Sequence, residues 1–204
     1  MQKGYWFFPI LVFIFLLAGY SQARGEDLLL DDFQGVISGG PQGTVDFGSG
    51  GGSTVEVSAA TDIKRAKDQS LKVVYNAVAG GYMWIARGFG LDAKNARWLV
   101  KPEDVDWGKY KAISFYMYGS DSKVKIAFDI KDSGNEISRF LVEDNFKGWK
   151  KIICPFSDFF VRGDWQPDNA DKNAKLDFPI KSFQFEPRPI AQGVVYFDCV
   201  ELLS

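Results

Sequence analysis

KAISFYMYGSDSKVKIAFDIKDSGNEISRFLV, Lys111 to Val142, is the stretch on which the architecture turns. Ile113, Phe115 and Met117 occupy every second position, and after GSDS the same spacing returns in Ile126, Phe128 and Ile130. A period of two sends one apolar set to one face and the intervening residues to the other, the pattern of a half-buried antiparallel strand. Asp132, Ser133, Gly134 and Asn135 have turn chemistry, so the run Ile126 to Ile130 is expected to pair with Ser138 to Val142 as a hairpin. Phe183 and Phe185 in IKSFQFEP repeat the alternation near the end of the chain.

Working outward, DLLLDDF, STVEVS, SLKVVYN, YMWIARG, AISFYMY, VKIAFDI, SRFLVE, WKKIICPF, KSFQFEP and VVYFDCVEL are all strand candidates. No segment holds a 3.6 period for three turns, so the domain reads as all-β. The number of short strands suits a two-sheet antiparallel β-sandwich of jelly-roll type. Gly39 to Ser53, ending in GSGGGS, is read as a surface loop because glycine weakens a strand. Lys101 to Tyr110 has room for one helical turn, and Trp107 and Trp149 are assigned to the core at strand entries.

The 204 residues suit one domain with a real core. Lys3, the apolar run Trp6 to Ala18 and the small residues around Ala23 read as a secretory signal peptide, residues 1–25, cut after Ala23 or Gly25. A retained anchor is the alternative, but the run contains Pro9 and falls short of the roughly 20 residues a span needs. The expectation is therefore an exported protein, periplasmic or extracellular, with one β-sandwich domain over 26–204 and no stable membrane span after cleavage. With 24 Lys and Arg against 26 Asp and Glu, the net charge of −2 argues against nucleic acid as a partner.

Histidine is absent from the chain. That removes the usual base for a serine or cysteine nucleophile and the usual nitrogen ligand for zinc. Export would let Cys154 and Cys199 oxidise. Jelly-roll order can instead leave a strand between theirs, beyond the roughly 7 Å reach of a disulfide, and two unpaired thiols are expected.

The order DDFQG, SLKVVYN, WGKYKAISFYMYGSDSKVKIAFDI, GWKKIICPFSDF, LDFPIKSFQFEP and GVVYFDCVELL resembles the secreted carbohydrate-binding modules of the galactose-binding-like jelly roll, especially family 11. The resemblance covers nearly the whole expected domain. It implies non-catalytic binding of a polysaccharide or oligosaccharide, a β-glucan or related glycan, in concert with a separate glycoside hydrolase. It also implies a structural calcium ion held by first-strand and last-strand oxygens, which carries over to Asp32 and Asp198. Gln34 and Cys199 stand where the family has further carboxylates.

A glycan face needs flat aromatic surfaces for the apolar faces of sugar rings and polar groups for the hydroxyls. The strands that build the family's concave sheet turn Asp129, Lys131, Arg139, Gln184, Glu186 and Arg188 outward, where they are either sugar contacts or a solvated face of weak ion pairs. Met83 and Ile85 take one face of their strand, so Tyr82 and Trp84 take the other, either as a stacking platform or packed under a loop. Trp165, in a long polar loop, is a rim contact or a loop pin. Two other functions stay open: a small glycoside hydrolase using a carboxylate pair, and a cell-envelope protein-interaction or adhesion module, marked by a broad apolar outer face.

Overall fold

A computed structural model describes Met1 and residues 26–204; the expected signal segment lies outside the described residues. Twelve strands run in chain order: β1 Leu28–Asp31, β2 Asp46–Gly50, β3 Thr54–Ala60, β4 Ser70–Ala77, β5 Tyr82–Gly88, β6 Ala112–Ser120, β7 Lys125–Lys131, β8 Ile137–Glu143, β9 Lys147–Pro155, β10 Phe160–Val161, β11 Ser182–Pro187 and β12 Ala191–Leu203. One sheet has the order β3-β4-β12-β6-β9, with β1 added on β12; the other has the order β10-β8-β7-β11-β5-β2. Every strand pair is antiparallel. Among the described residues no helix is long and apolar enough to cross a membrane.

All ten candidate segments form strands, and the alternation orients them as expected. Ile113, Phe115 and Met117 of one sheet face Ile126, Phe128, Ile130, Phe183 and Phe185 of the other, all buried. Phe185 of β11 and Phe197 of β12 stack across the sandwich with centroids 3.7 Å apart and planes 6° from parallel. Each buried phenylalanine contributes roughly 1.5–3 kcal/mol of transfer free energy. Asp132 to Asn135 closes the expected β7–β8 hairpin, in which Asp129 lies directly opposite Arg139. Lys101 to Tyr110 holds two single-turn 3-10 helices, Pro102–Asp104 and Trp107–Lys109, with Trp107 buried.

Two expectations need correction, and one strand was not anticipated. Residues 46–50, read as loop, form the edge strand β2, because pairing with β5 supplies the hydrogen bonds that composition could not reveal. Residues 160–161 also pair, as β10 against β8. Trp149 is not in the core: it sits half-buried on the outer face of the β9 sheet, edge-on to Tyr118, which in turn is edge-on to Tyr196. Alternation along β9 sets that parity: Ile152 and Cys154 are buried, so Trp149 shares the outer face with Lys151 and the exposed Ile153.

Cys154 and Cys199 are buried, free thiols on β9 and β12, strands that flank β6. Burial pushes both thiols up, away from reactivity.

Candidate functional site

The outer face of the β10-β8-β7-β11-β5-β2 sheet is a cleft of about 850 Å³. Tyr82, Trp84, Asp129, Lys131, Trp165 and Gln184 line it. Those six come from β5, β7, β11 and the loop after β10, and antiparallel pairing brings them together: Gln184 lies opposite Asp129 on one side and Ala86 on the other. Arg139, Glu186 and Arg188 belong to the same constellation through direct bonds to its floor. All nine expected ligand residues therefore share one face.

Tyr82 and Trp84, two apart on β5, lie with ring centroids 6.3 Å apart and planes within 14°. Tyr82 is 55% exposed for the residue as a whole, and Trp84 is partly exposed. The indole Nε1 donates to Asp46 Oδ1 at 2.8 Å, which fixes the ring's rotation. Asp46 Oδ2 in turn accepts from the Asp92 and Ala93 backbone N–H groups at 2.8 and 3.3 Å, so the anchor is itself anchored. The two rings lie nearly parallel on the cleft wall, with Trp84 partly exposed.

The polar floor is not a solvated face. Asp129 is 1% and Glu186 2% exposed, and the Arg139 side chain is 6% exposed. Arg139 makes a two-pronged pair with Asp129, Nε to Oδ1 at 2.7 Å and Nη2 to Oδ2 at 2.8 Å, and reaches Glu186 Oε2 with Nη2. Arg162 bridges Asp129 at 3.3 Å, Glu186 at 3.5 Å and Asp164 at 2.7 Å. Arg188 closes the set on Glu186 at 2.6 Å and Asp164 at 3.4 Å. Three guanidinium groups thus meet three carboxylates in a charge-balanced layer, with Asp129, Glu186, Arg139 and Arg162 buried and Asp164 and Arg188 at its edge, which is why burial of four ions is tolerated. Gln184 Nε2 adds a bond to Asp129 Oδ2 at 3.2 Å.

Sequence reading missed Asp46, Arg162 and Asp164. Asp46 was legible in principle, since Asp46, Gly48 and Gly50 alternate along one strand face. Arg162 and Asp164 sit in an aperiodic loop, and only tertiary contact reveals them. Gln166 ties that loop down by mimicking a strand: its Oε1 accepts from Ile137 N at 2.7 Å, and its Nε2 donates to the Ile137 and Arg162 carbonyls at 2.8 Å each. Trp165 is consequently held at the cleft rim, 56% exposed, with the Arg162 guanidinium 5.6 Å from its ring centroid. The neighbouring glutamine does the pinning, leaving the indole available.

Lys131 sits in the cleft, donating to the Gly90 carbonyl at 3.0 Å. Burial, with help from Lys181, holds its ammonium below the usual lysine range. Asp164 goes the other way: partial burial opposes its charge, but the Arg162 hydrogen bond and the nearby Arg139 and Arg188 bring it down to about 2. A depressed carboxylate contributes stability above its unfolded value of 3.8 and loses it as pH falls toward about 2. The Asp164 side chain is 45% exposed, so solvent screening limits this to on the order of 1 kcal/mol. Accordingly, the stability gap between the wild type and Asp164→Asn should be widest near pH 5 and close toward pH 2. Urea midpoints across that range check it, and a pH-independent gap would contradict it.

Asp32 and Asp198 lie apart from the cleft, at the end of β1 and on β12. As placed they do not make a calcium cage. Asp32 Oδ2 is taken by the Lys67 ammonium at 2.5 Å, while Asp198 Oδ2 accepts from Arg65 N and Ala66 N at 3.0 and 3.1 Å. Asp198 Oδ1 accepts from Cys199 N at 2.9 Å. Gln34, where a further carboxylate was looked for, donates to the Asp32 and Gln69 carbonyls at 2.8 Å. Calcium demands six to eight oxygens facing inward, and among the described residues no group of three or more acidic, cysteine or histidine side chains is so arranged.

Comparison with known proteins agrees with this picture. The family description "Carbohydrate binding domain (family 11)" matches residues 20–204. Endoglucanase H of Acetivibrio thermocellus is 29% identical over 203 residues, covering 89% of this chain but 18% of that enzyme, so the chain spans under a fifth of its relative. A family 11 carbohydrate-binding module from Clostridium thermocellum, solved with a β-1,3-1,4-mixed-linked tetrasaccharide, superposes with a TM-score of 0.67 at 24% identity, covering 87% of this chain and 95% of that one. The family 11 module of a cellulosomal cellulase from the same organism gives 0.66 at 23% identity, covering 88% and 95%. At these identities the structural likenesses speak to the fold.

Proposed function

The chain belongs to the family 11 carbohydrate-binding domains, and from that premise we propose that its cleft binds a β-glucan or related glycan along the Tyr82–Trp84 platform. It is a non-catalytic binder of polysaccharide. The observation that carries the assignment of the site is the pair of near-coplanar, accessible rings beside a rigid polar floor. Sugar rings present apolar C–H faces that stack on aromatic surfaces, while their hydroxyls need donors and acceptors held in place. Lys131 and Gln184 supply donors, Asp129 holds the Gln184 amide in place, and Trp165 supplies a third flat surface at the rim.

The floor argues against hydrolysis by these groups. A glycosidase needs one carboxylic acid to give a proton and one carboxylate to attack or to activate water. Asp129 and Glu186 have their oxygens committed to Arg139, Arg162 and Arg188 instead. We further propose that the protein works outside the cytoplasm, from the apolar leader read in residues 1–25, and that it acts beside a separate glycoside hydrolase, the relation suggested by its endoglucanase relative.

Affinity electrophoresis through soluble mixed-linked β-glucan tests the reading: retarded migration is expected, with no reducing sugar released on prolonged incubation. Migration unchanged by any glucan would overturn the ligand assignment, and sugar release would overturn the absence of catalysis. Calcium has a separate test. Because a ligand bound only by the native state raises stability, a chelator should leave the melting midpoint unchanged if Lys67 and the backbone donors keep the Asp32 and Asp198 oxygens. A midpoint that falls with chelator and recovers with calcium would restore the metal.

A further inference from the structure

Resting on the platform reading above, we propose that the outward row of β2, Asp46, Gly48 and Gly50, is a mould that lays Trp84 and Tyr82 flat, so that two glycines set affinity without touching the ligand. β2 pairs with β5 so that Gly48 lies opposite Trp84 and Gly50 opposite Tyr82. A Cβ on Gly48 would fall 2.5 Å from Trp84 Cη2, 2.6 Å from Cζ2 and 3.2 Å from Cζ3. On Gly50 it would crowd Tyr82 Cζ and Oη, with Cε1 at 2.8 Å. These distances put the absent methyl above the ring plane at its outer margin, over the Cη2–Cζ2 edge of the indole and over the Cζ–Oη bond of Tyr82. Each ring therefore rests the outer margin of one face on a glycine.

The glycines are needed for this space and not for their backbone freedom. Neither is among the residues with positive φ, so alanine fits the strand conformation, and glycine inside a strand costs stability. Asp46, two residues earlier on the same face, holds the indole through Nε1 and completes the mould. A methyl at residue 48 or 50 must lift or tilt the ring above it, because contacts under 3.0 Å do not survive. Tilting one ring breaks the 14° alignment, and a gap of roughly 0.5–1 Å forfeits a quarter to a half of the dispersion attraction over the face that lifts away.

The test is isothermal titration with the β-1,3-1,4-mixed-linked tetrasaccharide, alongside near-UV circular dichroism and thermal melts. Gly48→Ala and Gly50→Ala should each weaken binding about tenfold, roughly 1.4 kcal/mol, while unfolding stays cooperative. Once the ring is gone the methyl strikes nothing. Gly48→Ala should then have no further effect in a Trp84→Ala background, nor Gly50→Ala in a Tyr82→Ala background, the non-additivity of residues in contact. Wild-type affinity in both glycine variants, or losses that persist in the ring-less backgrounds, would overturn the mould. If the wild type itself fails to bind, the platform's role falls instead. The aromatic circular dichroism still decides ring placement in that case: a Gly48→Ala spectrum identical to wild type overturns the mould independently of any ligand.

Discussion

Arg139→Met is expected to lower stability by about 3 kcal/mol, the low end of what breaking a buried ion pair costs. The methionine keeps much of the volume, so the loss is electrostatic: Asp129 loses both prongs of its principal partner and Glu186 loses its Nη2 contact. What remains to Asp129 is Arg162 at 3.3 Å and Gln184 at 3.2 Å, which is why the effect sits at the low end. For a domain of this size, about 3 kcal/mol corresponds to a melting midpoint lower by roughly 10 °C. Thermal and urea unfolding measure it directly, and a shift below about 1 kcal/mol would mean that the layer behaves as an ordinary surface network. Glucan binding should weaken as well, since Asp129 then lacks its fixed orientation.

Trp84→Ala should act in the opposite proportion, costing at least about 2 kcal/mol of glucan binding, or about thirtyfold in affinity, with little change in stability. The indole is partly exposed and its removal empties no core site. Its contribution is stacking area plus the shielding of Tyr82 beside it. Titration calorimetry read against thermal melts separates the two effects. Equal affinity of Trp84→Ala and wild type would exclude the platform as the binding surface. Asp129→Ala, by contrast, should lose both stability and affinity, since it strands Arg139 and Arg162 and frees the Gln184 amide of the cleft.

The contrast between these variants marks what the cleft is made of. On the proposed reading the exposed rings do the contacting, and the layer of ions keeps the polar groups beside them from moving. Such preorganisation reduces the entropy cost of ordering side chains on binding. The floor tolerates three arginines because each faces a carboxylate of the same layer.

Much of this was readable in residue order. Alternation in Ile113-Phe115-Met117 and Ile126-Phe128-Ile130 assigned inward and outward faces, and Asp129 and Lys131, outward on the second, line the cleft. Parity alone put Tyr82 and Trp84 on that face, because Met83 and Ile85 had to go inward. Two readings failed where composition and tertiary context disagree. A surface loop was inferred for residues 39–53 from their glycines, yet residues 46–50 pair as a strand whose glycines make room for rings on the next strand. Trp149 was assigned inward from its place at a strand entry, whereas alternation with the buried Ile152 and Cys154 puts it on the outer face.

The chain's order by itself determined the all-β class, the strand parity and the absence of histidine chemistry, since each is a local property of residue type and spacing. Only the tertiary structure decided that Asp129, Arg139 and Glu186 are buried ion partners and not a solvated face, because their further partners Arg162 and Asp164 come from the segment after β10. Only it decided that Asp32 and Asp198 spend their oxygens on Lys67 and on the Arg65 and Ala66 backbone, because those donors come from a loop more than thirty residues from the first and more than a hundred from the second. Patterns of period two carry orientation; partners across such distances are set by which strands lie side by side.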